Sequence, residues 1–278
     1  MPSANIEYHK PATIQDALNL FFSLKAENKF PIYYAGGTEI LTLDRLDLIE
    51  TNALIDIKGI KECYAFDFQQ GMLRIGTALP LTYIEEKNLF PLLTQTSIGI
   101  SDHTARNKIT LGGNLCGQIF YREAVLPFLL CDSITIIAGT NGIQMIPIGE
   151  VFRQSFQLEE GQILLQLLTE QSYINRPFMS IKKRQQWETG YPLLTIASIK
   201  MDDGEYRFAF SGLCPFPFRS KNMENIFNSS SLSLQERIDQ SLDYIPGPVL
   251  DDVEGSKEYR LFVLRNTLEE IFLELEGK

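Results

Sequence analysis

The chain has 278 residues, 25 of them basic and 35 acidic, for a formal charge of −10. Hydrophobic residues at 44% and charged residues at 22% describe an ordinary globular protein and exclude a disordered one, and at roughly 100–200 residues per domain the length fits two domains. The acidic balance argues against sequence-independent binding of DNA or RNA, which needs a basic face, but it leaves phosphate ligands open, because backbone N–H groups hold them without Lys or Arg.

No stretch approaches the roughly 20 apolar residues that span a bilayer, so no membrane span is expected. The start, MPSANIEYHKP, lacks the basic region and apolar core of a signal peptide. Cys63, Cys116, Cys131 and Cys214 are isolated from one another, and there are two histidines, His9 and His103. Neither pattern builds a zinc, iron–sulfur or histidine-rich metal site. Free thiols in a reducing cytoplasm are the expectation.

In chain order, Thr13 three residues before Asp16 signals a helix start, and Ile14, Ala17, Leu18, Phe21 and Phe22 recur at helical spacing. Phe30-Pro31 ends the pattern. Ile32–Tyr34 reads as a strand running into Ala35-Gly36-Gly37-Thr38-Glu39, followed by a helical stretch from Ile40 to Leu46 and a strand over Ala53–Ile57. Cys63–Phe68 and Met72–Ile75 read as a hairpin around Gln69-Gln70-Gly71. Helices are expected at Leu81–Lys87 and Leu89–Ile100. A second glycine turn follows at Ile109–Asn114, then a short buried helix at Ala124–Leu130 and a hairpin of Ser133–Ala138 with Ile143–Ile148.

The last third reads as a separate α+β unit, with a boundary near Tyr173–Pro177. Strands are expected at Ser180–Arg184, Leu193–Met201 and Tyr206–Ser211, with Asp202-Asp203-Gly204 as a turn. Ser233 and Glu236 form a capping-box pattern for a helix to about Leu242. Leu261, Leu264, Leu268, Ile271, Phe272 and Leu275 make an apolar stripe on a long final helix.

Two glycine segments carry the functional signal: AGGTEI at 35–40 and TLGGN at 110–114. Glycines reach positive φ and allow close approach, and consecutive free N–H groups bind a pyrophosphate without any cation. Two such turns converging suit an extended dinucleotide; either alone is better read as ordinary turn chemistry. There is no GxGxxG, no GxxxxGK[ST] and no GxSxG, which removes the dinucleotide-fingerprint, P-loop and nucleophile-elbow readings. His9 and His103 read as structural or surface residues, and Trp187 as a packing residue with flavin stacking as its alternative.

The pair YYAGGTEIL (33–41) and RNKITLGGNLCGQ (106–118), with GYPLLTIAS (190–198) and SGLCPFPFRS (211–220) behind it, resembles the FAD-binding medium subunit of the molybdenum hydroxylases, the xanthine dehydrogenase and carbon monoxide dehydrogenase type, over nearly the whole chain. The resemblance implies an α+β fold: a two-subdomain, PCMH-type FAD-binding domain over 1–174 (a small subdomain to about 57, a larger one over about 58–174), then a C-terminal domain over 175–278 with a three-stranded sheet and helices. It implies non-covalent FAD held by Tyr34, Ala35, Gly36, Gly37, Thr38, Glu39 and Ile40 and by Thr110, Gly112, Gly113 and Asn114. Glu123 stands where the family usually carries Asp; Ile100, Ser101 and Leu164 match positions lining the cofactor, and Tyr191 or Leu194 reaches it from the C-terminal domain.

No catalytic acid or base and no metal ligand is implied on this chain. Flavin converts single electrons into a hydride pair, so the implied role is electron transfer from [2Fe–2S] clusters through FAD to NAD⁺. This chain lacks the cysteines for the clusters and the length for a molybdenum domain, which assigns those cofactors to an iron–sulfur subunit and a molybdenum-cofactor subunit, in a dimer of heterotrimers. A xanthine dehydrogenase of purine catabolism is the first expectation for the whole. The alternatives are a stand-alone FAD-dependent oxidoreductase, with His103 as a possible tether, and a non-catalytic scaffold subunit that has lost FAD.

Overall fold

A computed structural model describes residues 6–185 and 190–277; Trp187, and with it either reading of that residue, lies outside the described residues. The described residues form two compact units. The first comprises residues up to 87, 103–119 and 132–171, and the second comprises 88–102, 120–131 and everything from 172 onward. The split expected at 174/175 is therefore a division of sequence, whereas the packing interleaves: 88–102 and 120–131 are apolar (Leu92, Leu93, Leu126, Phe128) and bury themselves with the C-terminal third.

The first unit holds two sheets. Strands β1 (Glu7–His9), β2 (Pro31–Tyr34) and β3 (Ala53–Asp56) pair in parallel in the order β1-β3-β2. The helix Ile14–Ala26 makes the crossover from β1 to β2. Its start is set by Thr13, whose side chain accepts from the Asp16 N–H, and it buries Ala17, Leu18, Phe21 and Leu24. Strands β4 (Phe66–Gln69), β5 (Met72–Gly76), β6 (Ile134–Gly139), β7 (Gly142–Pro147) and β8 (Ile163–Glu170) form an antiparallel sheet in the order β4-β5-β8-β6-β7. Phe21, Leu24, Ile55, Ile57 and Ile60 share one core with Ala138, Ile163 and Leu165, so the helix and both sheets enclose a single apolar volume.

The second unit is an antiparallel sheet of β9 (Phe178–Lys183), β10 (Leu194–Lys200), β11 (Tyr206–Ser211) and β12 (Phe218–Arg219), in the order β12-β11-β10-β9. The helix Lys257–Glu276 buries Leu264, Leu268, Ile271, Phe272 and Leu275, the stripe read from sequence, in a core with Phe208, Phe210 and Phe227. The helix Leu234–Ser241 carries the expected capping box: the Ser233 hydroxyl accepts from the Glu236 N–H, and the Glu236 carboxylate accepts from the Ser233 N–H.

Several boundaries differ from the sequence reading. Cys63 and Tyr64 lie in a 3₁₀ turn (Lys61–Tyr64), so β4 starts only at Phe66. Ile57 likewise leaves β3 to open a 3₁₀ turn. The helix expected over 89–100 is confined to Pro91–Ser97, because Pro91 fixes its first turn. The three-stranded C-terminal sheet gains a two-residue edge strand, β12. The second glycine turn is the first turn of a helix, Leu111–Cys116, capped by Thr110. Strands β1 and β8 had no counterpart in the sequence reading. Seven of the eight β8 residues are buried, so Ile-Leu-Leu-Gln-Leu-Leu-Thr shows no alternation to mark it as a strand.

Phe272 is fully buried, with its ring centroid 5.2 Å from those of both Tyr206 and Phe208 and 5.7 Å from that of Phe227. Phe272→Ala is expected to lower the unfolding free energy by about 3–5 kcal/mol in urea titration, the usual cost of emptying an aromatic site.

Candidate functional site

The first glycine segment sits where β2 ends. Gly37 has φ +74, and a β-carbon there would lie 2.4 Å from the Tyr34 ring. At Gly36 a β-carbon would fall 2.0 Å from the Lys108 carbonyl oxygen, so the two glycine segments meet backbone to backbone. Lys58 holds the entrance: its ammonium donates to the Ala35 carbonyl, pairs with Asp56 at 2.9 Å and lies 4.4 Å from the centre of the Tyr34 ring.

Donor accounting separates the two segments. In the second, Leu111 N–H donates to Leu79 O at 2.9 Å, Gly112 N–H to Thr77 O at 2.8 Å and Gly113 N–H to the Thr110 hydroxyl at 3.2 Å. In the first, among the described residues no protein acceptor takes the N–H of Gly36, Gly37, Thr38 or Glu39. Successive free N–H groups through a positive-φ residue make an anion nest, and this one follows a strand, as a diphosphate cradle requires. The second segment is open at its surface: a β-carbon at Gly113 would meet only the Thr110 hydroxyl, at 3.0 Å, and otherwise open space. Asn114 follows on the same helix, with its backbone N–H bonded to Thr110 O.

The other expected residues of the first unit play distinct parts. Ile40 begins the helix Ile40–Arg45 that leaves the nest. Leu164 is buried in β8, and its carbonyl accepts from the Thr77 hydroxyl at 2.7 Å, so Thr77 ties β8 to the second glycine helix. The Glu39 carboxylate accepts from the backbone N–H groups of Gln118 and Ile119. Arg106, in the short helix His103–Arg106, pairs with Glu85 at 2.7 Å in a nearly buried contact; His103 itself is exposed.

The second unit holds Ile100, Ser101, Glu123 and Tyr191. Ile100 is buried, and Ser101 takes a positive φ of 52 on an exposed turn. The preceding carbonyl, Gly99 O, accepts from both Lys182 and Arg184. Glu123 is buried, with one carboxylate oxygen 2.8 Å from the Lys182 ammonium and the other 2.5 Å from the Thr195 hydroxyl. Its charge is thus neutralised within the fold, where an unpaired buried carboxylate would be costly. Tyr191 stacks on Tyr121, with centroids 4.6 Å apart and planes 13° from parallel, while remaining about half exposed. Leu194, its alternative, is buried in β10.

Lys58, Thr77, Lys182 and Arg184 escaped the sequence reading because each acts on a carbonyl or carboxylate distant in sequence. Gly117 escaped too, although a third glycine three residues after Asn114 was a visible signal. Among the described residues no cluster of His, Cys, Asp or Glu has the makings of a metal site, and no helix is long and apolar enough to cross a membrane.

Two measurements check these assignments. Lys182→Met strands the Glu123 charge and is expected to cost about 3–5 kcal/mol in urea unfolding, the usual price of breaking a buried pair, with Glu123→Gln restoring part of it in the double variant. For Asp56, burial raises the carboxyl pKa, but hydrogen bonds from Tyr8 and from the side chain and backbone of Lys58 outweigh it and hold the group below its ordinary value. A lowered folded-state pKa gives stability that is fully present above the unfolded value of about 3.9 and fades as pH falls below it. Unfolding midpoints measured from pH 7 to pH 3 are expected to fall less steeply below pH 4 in Asp56→Asn than in the parent.

Comparison with known proteins identifies the family. Residues 4–168 match the family model described as the FAD binding domain in molybdopterin dehydrogenase. The xanthine dehydrogenase FAD-binding subunit of Escherichia coli O157:H7 is 26% identical, over 96% of this chain and 94% of its own length. The nicotinate dehydrogenase FAD-subunit of Eubacterium barkeri is 23% identical, over 62% of this chain and 59% of its own. In fold, a chain of carbon monoxide dehydrogenase from Hydrogenophaga pseudoflava superposes with a TM-score of 0.88 at 18% identity, covering 100% of this chain and 99% of that one. With a free N–H nest at Gly36–Glu39 and a family match over more than half its length, the chain belongs to the FAD-binding domain family of the molybdopterin dehydrogenases.

Proposed function

We propose that this chain is the FAD-binding, electron-transfer subunit of a multi-subunit molybdenum hydroxylase, working with an iron–sulfur subunit that carries [2Fe–2S] clusters and a subunit that carries the molybdenum cofactor, with NAD⁺ as final acceptor. The observation that carries this reading is the run of four N–H donors, Gly36 to Glu39, that no acceptor among the described residues takes, in a chain of an FAD-binding family. Bound FAD supplies the conversion between single electrons and a hydride pair.

The residues of this chain bind and orient. Gly36, Gly37, Thr38 and Glu39 present their N–H groups to the diphosphate, and Tyr34, Ala35 and Ile40 shape the ends of that loop. Thr110, Gly112, Gly113 and Asn114 form the wall, with Gly113 open to the ligand. Leu164, and in the second unit Ile100, Ser101, Glu123 and Tyr191, are assigned to the cofactor by likeness to the family. No side chain is asked to move a proton, because hydride transfer needs positioning above all. Xanthine is the proposed substrate of the whole assembly, supported by the relative that spans 94% of its own length in the match. A reducing, cytoplasmic setting accords with reduced cysteines at Cys63 and Cys214, both buried.

The test begins with absorbance of the purified chain. Oxidised-flavin bands, with FAD released at about one per chain, are expected, and Gly36→Val, which forces a side chain into the Lys108 carbonyl, is expected to remove the colour. Complex purified through this chain should reduce NAD⁺ with xanthine. A folded, colourless chain that FAD does not reconstitute overturns the cofactor assignment, and turnover of nicotinate in place of xanthine moves the substrate.

A further inference from the structure

We infer that the Glu39 side chain is a positioning group: its carboxylate latches the first glycine loop to the chain segment leaving the second glycine helix, and that carboxylate is not itself a ligand of the cofactor. The inference rests on the FAD-binding reading above. Glu39 ends the nest at Gly36–Glu39, and its two carboxylate oxygens receive the N–H groups of Gln118 and Ile119, the first residues after Gly117. Gly117 follows the helix that carries Gly112, Gly113 and Asn114. A β-carbon at Gly117 would lie 2.4 Å from a Glu39 carboxylate oxygen and 2.9 Å from the Gly113 carbonyl oxygen, so a side chain at 117 would displace the carboxylate and crowd the end of the second glycine helix. Gly117 has φ −62 and ψ 161, an extended conformation open to any residue, so the glycine answers to space, taken up by the Glu39 carboxylate and the Gly113 carbonyl.

Together with the Lys108 carbonyl against Gly36, the latch closes a loop of contacts: the segment before the second glycine helix touches the start of the nest, and the segment after it holds the end. Electrostatics gives the same assignment. A free carboxylate next to a diphosphate repels it, whereas a carboxylate committed to two N–H donors is partly neutralised. What Glu39 then offers a phosphate is its backbone N–H.

The experiment uses the full chain, with and without FAD. Hydrogen exchange in the FAD-free protein should show Gln118 and Ile119 protected, and adding FAD should leave that protection intact. Glu39→Ala should weaken FAD binding about ten- to hundredfold, the worth of charge-assisted hydrogen bonds, without lowering the melting temperature of the FAD-free chain, and Gly117→Ala, which displaces the carboxylate and also crowds the Gly113 carbonyl, should weaken it at least as much. The double variant should bind no worse than Gly117→Ala alone, because the latch is already lost in that variant. Glu39→Gln, which keeps an acceptor oxygen, should recover part of the affinity.

The inference is overturned if Gln118 and Ile119 exchange freely without FAD, or if FAD frees them, which would mark the carboxylate as a ligand. It is also overturned if Glu39→Ala binds FAD as tightly as the parent or tighter, as simple loss of a repelling charge predicts. A parent chain that binds no FAD sinks the functional reading instead, and the exchange pattern of the FAD-free protein still decides whether the latch exists.

Discussion

A carbonyl oxygen, that of Lys108, occupies the place where a side chain at residue 36 would begin. Only a residue without a β-carbon tolerates that approach, and most of the first unit's candidate site is organised around it. Lys58 steadies the strand end leading into it, Thr77 joins β8 to the helix on its far side, and the Arg106–Glu85 pair fixes the short helix just before Lys108. None of these groups is exotic. Each satisfies a carbonyl or a buried charge that the close approach creates or brings nearby.

The two glycine motifs look alike in sequence and do different jobs. In the second, glycine provides space: the Gly112 N–H is bonded and its α-carbon packs against Thr77, while Gly113 clears the surface. In the first, glycine provides donors, because the chain turns through a positive φ at Gly37 and leaves four N–H groups without acceptors among the described residues. A site of this kind binds an anion by withholding internal partners, and the chain's overall acidity is no obstacle to it.

Much of this was legible in the sequence because it is written in local chemistry. The Thr13 and Ser233 caps, the hairpin around Gly142, the helix Leu81–Lys87 and the stripe on the final helix all depend on residues within a turn or two of each other. The helix at Leu111–Cys116 was misread because Gly-Gly lowers helix propensity, and tertiary bonds to Leu79 and Thr77 outweigh that. Strand β8 was missed because burial on both faces erases alternation. The partners of Glu123 could not be read at all: Lys182 and Thr195 are 59 and 72 residues away, and only the pairing of β9 with β10 brings them to one carboxylate.

The interleaving of the two units bears on how the chain is made. Helix Pro91–Ser97 and helix Leu126–Leu130 are synthesised long before β9, β10 and β11, the sheet with which they share a unit. The nascent chain therefore emerges from the ribosome with Leu92, Leu93, Leu126, Phe128 and Leu130 lacking their final cover until the last hundred or so residues follow. Folding of each segment in the order of its synthesis is closed to this topology. The first unit is able to assemble once 171 is out, but the second waits for the C-terminal helix, and in the interval those leucines and Phe128 are what a chaperone would meet.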